Sequence, residues 1–477
     1  MDRPRLTTLL TWAVVGTYLL VALGATAAAD AGPALAAAHH VAAVLVGLLL
    51  VATAVVARRA AAARGVRIGT AAVVVAYPVQ AGIGLAGRSG VRPFGGRLHL
   101  LGGIAVFAVL LATLIHRLET TAGASVADDE LIDAESPTDR SATASAADSA
   151  GDALAVDSAG DAPASDSRST TLGDRLRAYL ELTKPRLMWL LCLLALAGMG
   201  LATATGAALD GVTVVATLGG GVLAIGAAGT FNHVYERDRD RRMRRTADRP
   251  VATDRVGVRR AVAFGVLLVA VSMAILLAFV NVLATVLTAL AVVYYAYVYT
   301  VLLKPTTRWN TVIGGGSGAL PALIGYAAVT GTVGLPAVLL AVVVCCWTPA
   351  HFYNLAIAHR EDYARADYPM LPVVAGVSTA RRRILAWLGI TLVAAALLGT
   401  VTDLGLLYAL ATTALGAVFV RSVVRQYDAD RRAGDVGTDA DAPAANDARA
   451  AAYRSFHASN AYLGAILGAI LLETLAF

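Results

Sequence analysis

Asn232, Glu236 and Asp240 stand four residues apart in the run Asn232-His-Val-Tyr-Glu236-Arg-Asp238-Arg-Asp240, which follows directly on an apolar stretch. On a helix continuing from that stretch the three side chains share one face. Three oxygen donors on one face suit a hard cation such as Mg2+, which proteins hold through a few carboxylates together with a substrate's phosphates. Arg241, Arg244, Arg245 and Arg249 follow in the same loop and can grip those phosphates. Arginines alone would describe only a charged flank of a membrane span. The acids add something, because carboxylates at the end of an apolar span need a partner.

Two further stretches carry the same kind of chemistry. Trp347-Thr-Pro-Ala-His351-Phe-Tyr-Asn354 leads to His359, Glu361 and Asp362, then to Pro369-Met-Leu-Pro372, again setting acids and bases just past an apolar run. Lys304-Pro-Thr-Thr-Arg308-Trp-Asn310 is followed by Gly314-Gly315-Gly316, where absent side chains let helices or a ligand approach closely. Lysine is nearly missing: of 39 basic residues only Lys184 and Lys304 are lysines. Both precede proline and both stand at the mouth of a span.

These residues must be positioned by membrane helices. The chain has 477 residues, 57% hydrophobic and 15% charged, where a soluble domain averages about 45–50% and roughly 25%. The apolar residues fall in blocks long enough to cross a bilayer as helices. Four occur near 7–29, 36–57, 68–86 and 98–116, and nine more lie between 186 and 476. The expected fold class is an all-α polytopic membrane protein of thirteen helices, four plus nine. Continuous apolar runs exclude a transmembrane barrel. The first block is too long for a signal peptide core and reads as a retained helix.

Charge is segregated as well. Residues 119–170 hold 12 acids and 2 arginines, and the octet AADSAGDA at 146–153 recurs as AVDSAGDA at 155–162. Such a segment buries too little apolar surface to order itself. The expected domains are therefore 1–117, a four-helix transmembrane unit; 118–172, a disordered acidic linker; and 173–477, a nine-helix unit. The net charge of +6 resides in loops that flank spans. It therefore points to the positive-inside rule and to the lipid bilayer as partner, not to nucleic acid. With the amino terminus inside, the loops at 58–67, 235–259, 303–310, 357–383 and 425–454 are cytoplasmic and all basic. Only the outer 87–97 loop, with Arg88, Arg92 and Arg97, departs from the rule. Cys192, Cys345 and Cys346 all sit in apolar blocks with neither metal nor disulfide spacing.

Polar loops meeting at one membrane face, over an apolar interior, imply a lipid diphosphate as substrate. The chemistry would be allylic ionisation: the C–O bond breaks and a nucleophile captures the carbocation. A metal and a cationic clamp are what that transition state requires.

Asn232-x3-Glu236-x3-Asp240 resembles the first aspartate-rich motif of the UbiA-like intramembrane prenyltransferases. Leu182-Thr-Lys-Pro-Arg186, Trp347-Thr-Pro-Ala-His351-Phe352 and Asp362-Tyr-x5-Pro369-Met-Leu-Pro372 are similar to the branch that farnesylates protohaem IX, the haem O synthases. The resemblance covers about 175–477. It implies a nine-helix bundle using farnesyl diphosphate and protohaem IX (haem b) as substrates, with Asn232, Glu236 and Asp240 holding Mg2+–diphosphate. Glu361 and Asp362 would serve a second metal or orient the second loop, with Glu361 also among the residues at the diphosphate. Lys304, Arg244, Arg245 and Arg249 would contact diphosphate, and Trp347 and His351 would face the haem. His351 reads equally well as a polar contact inside a helix. Two positions depart from the family: Glu236 stands where Asp is usual, and Asp367-Tyr368 replaces the usual Gly before Pro-Met-Leu-Pro. Rival readings are a related prenyltransferase with an aromatic or glycerolipid acceptor, and a transporter or non-catalytic haem-handling protein.

In the amino-terminal unit, Gln80-Ala-Gly-Ile-Gly-Leu-Ala-Gly-Arg88 and His99-Leu-Leu-Gly103 resemble half of a haem A synthase, which makes that enzyme a partner to consider. His39 and His40 begin the second block and His99 the fourth, so topology sets all three at similar depth. Two imidazoles at matched depth could ligate a bound haem, with His40 the weakly favoured partner of His99.

Overall fold

The structure is a computed structural model and describes residues 3–27, 33–88, 95–134, 171–402, 404–434 and 443–475. Among them all regular structure is helical. The amino-terminal group is α1 (Arg3–Ala27), α2 (Pro33–Arg59), α3 (Arg64–Arg88) and α4 (Gly95–Ala134). Then follow α5 (Leu172–Thr183), α6 (Pro185–Thr203), α7 (Gly211–Asp240), α8 (Val258–Phe279) and α9 (Val282–Val293), which continues as a π-helix over Tyr294–Leu303. The rest are α10 (Asn310–Thr330), α11 (Leu335–Ala358), the short α12 (Arg360–Arg365) and α13 (Leu371–Val374), α14 (Gly376–Val401), α15 (Leu406–Gly434) and α16 (Pro443–Leu475).

Twelve described helices are long and apolar enough to cross a membrane, and α5 with α6 makes a thirteenth only if that pair, bent by 50°, is one span. The expected thirteen thus turns on the bend. α5 is amphipathic: Leu172, Leu176 and Leu180 are exposed along one side while Ala178 and Leu182 are buried. That pattern suits a helix lying in the membrane interface.

The stretch expected to be a linker from residue 118 is helical at its start. α4 runs on to Ala134, because residues 119–134 contain Ala, Glu and Leu and no proline, and extend a helix already nucleated by the span. Residues 135–170, Arg92 and the side chain of Arg88 lie outside the described residues. At the far end Thr171 and Asp174 form a reciprocal capping box that starts α5.

α14 occupies the middle of the bundle, packed on α11, α15 and α4. The amino-terminal helices join the same core. Leu6, Leu10, Phe107 and Leu114 of α1 and α4 belong to one buried cluster with Leu388, Leu392, Phe419 and Val423 of α14 and α15. Gly389 makes this possible, since a Cβ there would fall 2.1 Å from Leu111 Cδ2. On the other side of the bundle α6 and α10 cross so closely that a Cβ on Gly325 would stand 1.9 Å from the Ala195 carbonyl oxygen.

Candidate active site at the mouth of an apolar cavity

α7 is begun by Asp210, whose carboxylate accepts the Thr213 N–H at 2.9 Å, and its last turns carry the three expected oxygen donors inward. Asn232, Glu236 and Asp240 are 2%, 3% and 2% exposed. Each is met by a cation. Lys184 Nζ donates to Asn232 Oδ1 and lies 3.4 Å from the Tyr295 hydroxyl. Lys304 Nζ donates to Glu236 Oε1. Arg249 Nη1 reaches both Asp240 oxygens at 2.9 and 2.8 Å and lies 3.5 Å from Glu236 Oε2. Buried charges persist only when paired in this way. Burial works against the Arg249 guanidinium, but Asp240 and Glu236 hold its pKa above the ordinary value. Burial pulls the Lys304 ammonium down, and Glu236 offsets only part of that.

Two local backbone devices set these cations. Lys184 has φ 55° and ψ 56°, a left-handed conformation at the corner between α5 and α6. Proline at 185 excludes an ordinary helical turn there. Beyond α9, the π-winding brings Tyr295, Thr300 and Lys304 onto the α7 side, with the Thr300 hydroxyl donating to the Tyr295 carbonyl five residues back. Asn232 Nδ2 in turn donates to Thr300 Oγ1 at 3.1 Å. Glycines of the expected triplet admit the neighbouring elements: a Cβ on Gly314 would meet Tyr299 at 2.3 Å, and one on Gly315 would meet Thr348 at 3.1 Å.

The other expected arginines do different work. Arg241 donates to Asp254 and to the Ala252 carbonyl, tying its own loop. Arg244 and Arg245 have exposed side chains, as does Glu361. Asp362 is buried, accepts the Arg244 backbone N–H at 3.2 Å and pairs with Arg365. Burial acts to raise its carboxyl, yet Arg365 and that N–H hold it below the usual carboxylate range. Asp362 therefore fastens the two loops together. Arg242 with Asp367 is a second fastening. Tyr368 is a third, its ring lying 4.6 Å from Lys304 Nζ and 5.1 Å from Arg239 Cζ.

Motif spacing assigns no role to Lys184, Tyr295, Thr300 or Tyr368. The rarity of lysine and its place before proline was the available signal for Lys184. Tyr368 coincides with a departure from the family pattern.

Trp347 and His351 lie elsewhere, between α11 and α16. Trp347 Nε1 donates to the Ser459 carbonyl at 3.0 Å, and His351 Nδ1 lies 2.6 Å from Ser459 Oγ. The His351 ring is stacked between Trp347 and Phe456, at 4.2 and 4.4 Å.

Beneath the charged cluster an apolar cavity of about 170 Å³ opens between α6, α7, α9 and α10, with Lys184, Gly229 and Tyr295 among its lining residues. A strongly polar mouth over an apolar interior matches a molecule with an anionic head and a hydrocarbon tail.

In the amino-terminal group the His39 and His99 ring centres are 6.2 Å apart and their planes meet at 70°. His99 Nδ1 lies 3.0 Å from the Gln80 carbonyl, and Gln80 Nε2 donates to the His99 carbonyl at 2.8 Å. His40, the expected partner of His99, is exposed, with Nδ1 2.6 Å from Ala36 O. Adjacent helical residues point about 100° apart, and here it is His39 that turns inward.

Comparison with known proteins bears on the family of the chain. The UbiA prenyltransferase family matches residues 191–435. A protein of Natronomonas pharaonis named protoheme IX farnesyltransferase 2 is 58% identical over 472 residues, 99% of each chain. A protoheme IX farnesyltransferase of Halobacterium salinarum strain NRC-1 is 45% identical over 425 residues, 87% of this chain and 84% of that one. Among solved structures, a digeranylgeranylglyceryl phosphate synthase covers 64% of this chain and 100% of that one, at 14% identity and a TM-score of 0.49. With a family match over half its length and a relative this similar along all of it, the chain belongs to the UbiA prenyltransferase family.

Proposed function

We propose that this membrane enzyme transfers the farnesyl group of farnesyl diphosphate to a vinyl group of protohaem IX, giving haem O and diphosphate. The observation that carries the reading is the interleaving of acids and cations on α7, Lys184, Lys304 and Arg249 at the mouth of an apolar cavity. Asn232, Glu236 and Asp240 present an all-oxygen donor set that fits Mg2+ but does not encage it, leaving positions for phosphate oxygens. Bound there, Mg2+ would neutralise diphosphate and make it a better leaving group. Lys184, Lys304 and Arg249 take up the charge that grows on the leaving oxygen as the C–O bond breaks. The cavity holds the hydrocarbon tail away from water. The allylic cation adds to the vinyl carbon, water adds at the adjacent carbon, and one proton leaves. The basic loops, read by the positive-inside rule, support a cytoplasmic side of the cell membrane for this chemistry.

The test is the full-length protein in detergent or nanodiscs with farnesyl diphosphate, haem b and Mg2+. Diphosphate release should require haem and Mg2+, and the haem product should gain the mass of a farnesyl group plus a hydroxyl. Release without haem, or an unaltered haem, overturns the reading.

The amino-terminal helices support a second reading, one bound haem held by His39 and His99. With metal–imidazole bonds of about 2 Å, ring centres on opposite sides of an iron stand about 6 Å apart, close to the distance seen. A ligating histidine usually donates its other N–H to a carbonyl, and Gln80 offers one to His99. His99→Ala in the full chain should abolish the absorption spectrum of a bis-histidine haem while leaving His40→Ala unchanged. Identical spectra in all three proteins would refute it.

A further inference from the structure

Seven residues of α7 line the apolar cavity: Thr217, Leu218, Gly221, Ala224, Ile225, Ala228 and Gly229. Their spacing marks one helix face running from the polar mouth into the membrane. At ~1.5 Å per residue, Gly221 lies about 12 Å and Thr217 about 18 Å down the helix from Gly229.

Gly221 has no packing reason to be glycine. A Cβ there would meet no atom within 4 Å, although the residue lines the cavity. Its neighbour Gly220 differs, since a Cβ there would fall 2.8 Å from Leu276 of α8. Nor does the backbone require glycine, as Gly221 is not among the positive-φ glycines. Glycine inside a helix weakens it. The physical effect left to Gly221 is to keep the cavity open at that depth.

Thr217 supplies an independent observation. It is 2% exposed, and among the described residues its hydroxyl has no hydrogen-bond partner. Thr230, Thr285 and Thr288 each donate to the carbonyl four residues earlier, whereas Thr217 does not. Its hydroxyl is a buried polar atom in the wall of a hydrocarbon-lined cavity. Each isoprene unit has one double bond, and the saturated CH2–CH2 link between two units running past the hydroxyl leaves it unpaired. A terminal double bond stopping beside it offers a π face to the O–H.

Resting on the prenyltransferase reading above, we propose that Gly221 and Thr217 gauge the prenyl chain, Gly221 leaving room for a third isoprene unit and Thr217 marking where the chain ends. At about 1.5 Å per carbon–carbon bond, a four-bond isoprene unit extends about 5 Å. Two units stop above Gly221, three pass it and end short of Thr217, and four overrun Thr217. Gly221 is thus a specificity residue for farnesyl over geranyl, and Thr217 for farnesyl over geranylgeranyl.

The experiment offers full-length enzyme, haem b and Mg2+ with geranyl, farnesyl or geranylgeranyl diphosphate, and reads kcat/KM from the mass of the haem product. Wild type should prefer farnesyl. Gly221→Leu should lower kcat/KM for farnesyl by about ten-fold or more relative to geranyl, the scale on which a pocket excludes an oversized group. Gly221→Ala should shift the ratio in the same direction by less. Thr217→Ala should raise geranylgeranyl relative to farnesyl. Gly219→Leu is the control: Gly219 also has open space for a Cβ but is exposed and does not line the cavity, so its ratios should match wild type. If Gly221→Ala, Gly221→Leu and Thr217→Ala all keep the wild-type ranking, or lose all three donors in proportion, the gauge is overturned while the transferase reading stands. A wild type that modifies haem with none of the three overturns the transferase reading itself.

Discussion

Asp240 and Asn232 are the donors of α7 that meet Arg249 and Lys184. Asp240→Asn removes the charge that Arg249 meets at 2.8 Å, and Asn232→Ala removes the acceptor of Lys184. Either change should lower prenyl transfer by about 10²-fold or more, the scale of losing one transition-state electrostatic contact. The protein should still insert and elute as wild type. Wild-type turnover in correctly inserted Asp240→Asn would remove Asp240 from the site. Glu236→Asp should keep activity within about ten-fold, because Lys304 reaches it on a flexible four-carbon stem. Lys184 allows backbone and charge to be separated. Its left-handed conformation costs a non-glycine residue roughly 1–2 kcal/mol. Lys184→Gly should therefore be more stable than Lys184→Ala by about 1 kcal/mol, with both inactive in diphosphate release. Equal thermal midpoints for the two variants would show that the strain argument is wrong.

At the scale of elements, the site depends on how closely helices approach. α6 and α10 both wall the cavity, and they cross at Gly325, where a Cβ would overlap the Ala195 carbonyl. Gly325→Ala must push the two helices apart. Overpacking of this kind costs about 1–3 kcal/mol, so its thermal midpoint should fall and its KM for the prenyl donor should rise. An unchanged midpoint would mean that the crossing is softer than it looks. The π-helix works by register. Its wider turn lets Thr300 and Lys304 answer Asn232 and Glu236 in parallel, one four-residue step on each side.

For the whole molecule, α1 and α4 are built into the core of the prenyltransferase bundle through α14 and α15. Arg382 Nη1 adds an ion pair to Glu119 at 3.1 Å. The two groups of spans are joined by packing, and the acidic segment between them has little left to do. Deleting 141–165 should leave haem farnesylation within about two-fold of wild type, because closure entropy changes slowly with connector length. Loss of activity in a correctly inserted deletion would reveal a role for that segment.

Much of this protein could be read from the chain because the bilayer makes strict demands. Spans must be continuous apolar helices, so composition and block length gave the class and nearly the number of crossings. The i, i+4, i+8 spacing of Asn232, Glu236 and Asp240 needed only helical geometry to share a face, and the structure keeps it. What the chain did not disclose depended on contacts between segments far apart in sequence. Lys184 meets Asn232 across 48 positions and Lys304 meets Glu236 across 68. Of the loop arginines, Arg249 turns to the carboxylates while Arg241 ties its own loop. Asp362 lies between loops, and His39 in place of His40 faces His99. Each of these choices is set by where a helix ends, bends or changes winding, and a turn of about 100° per residue separates a side chain in the site from one outside it. Local propensity does not specify that rotation; packing between helices does.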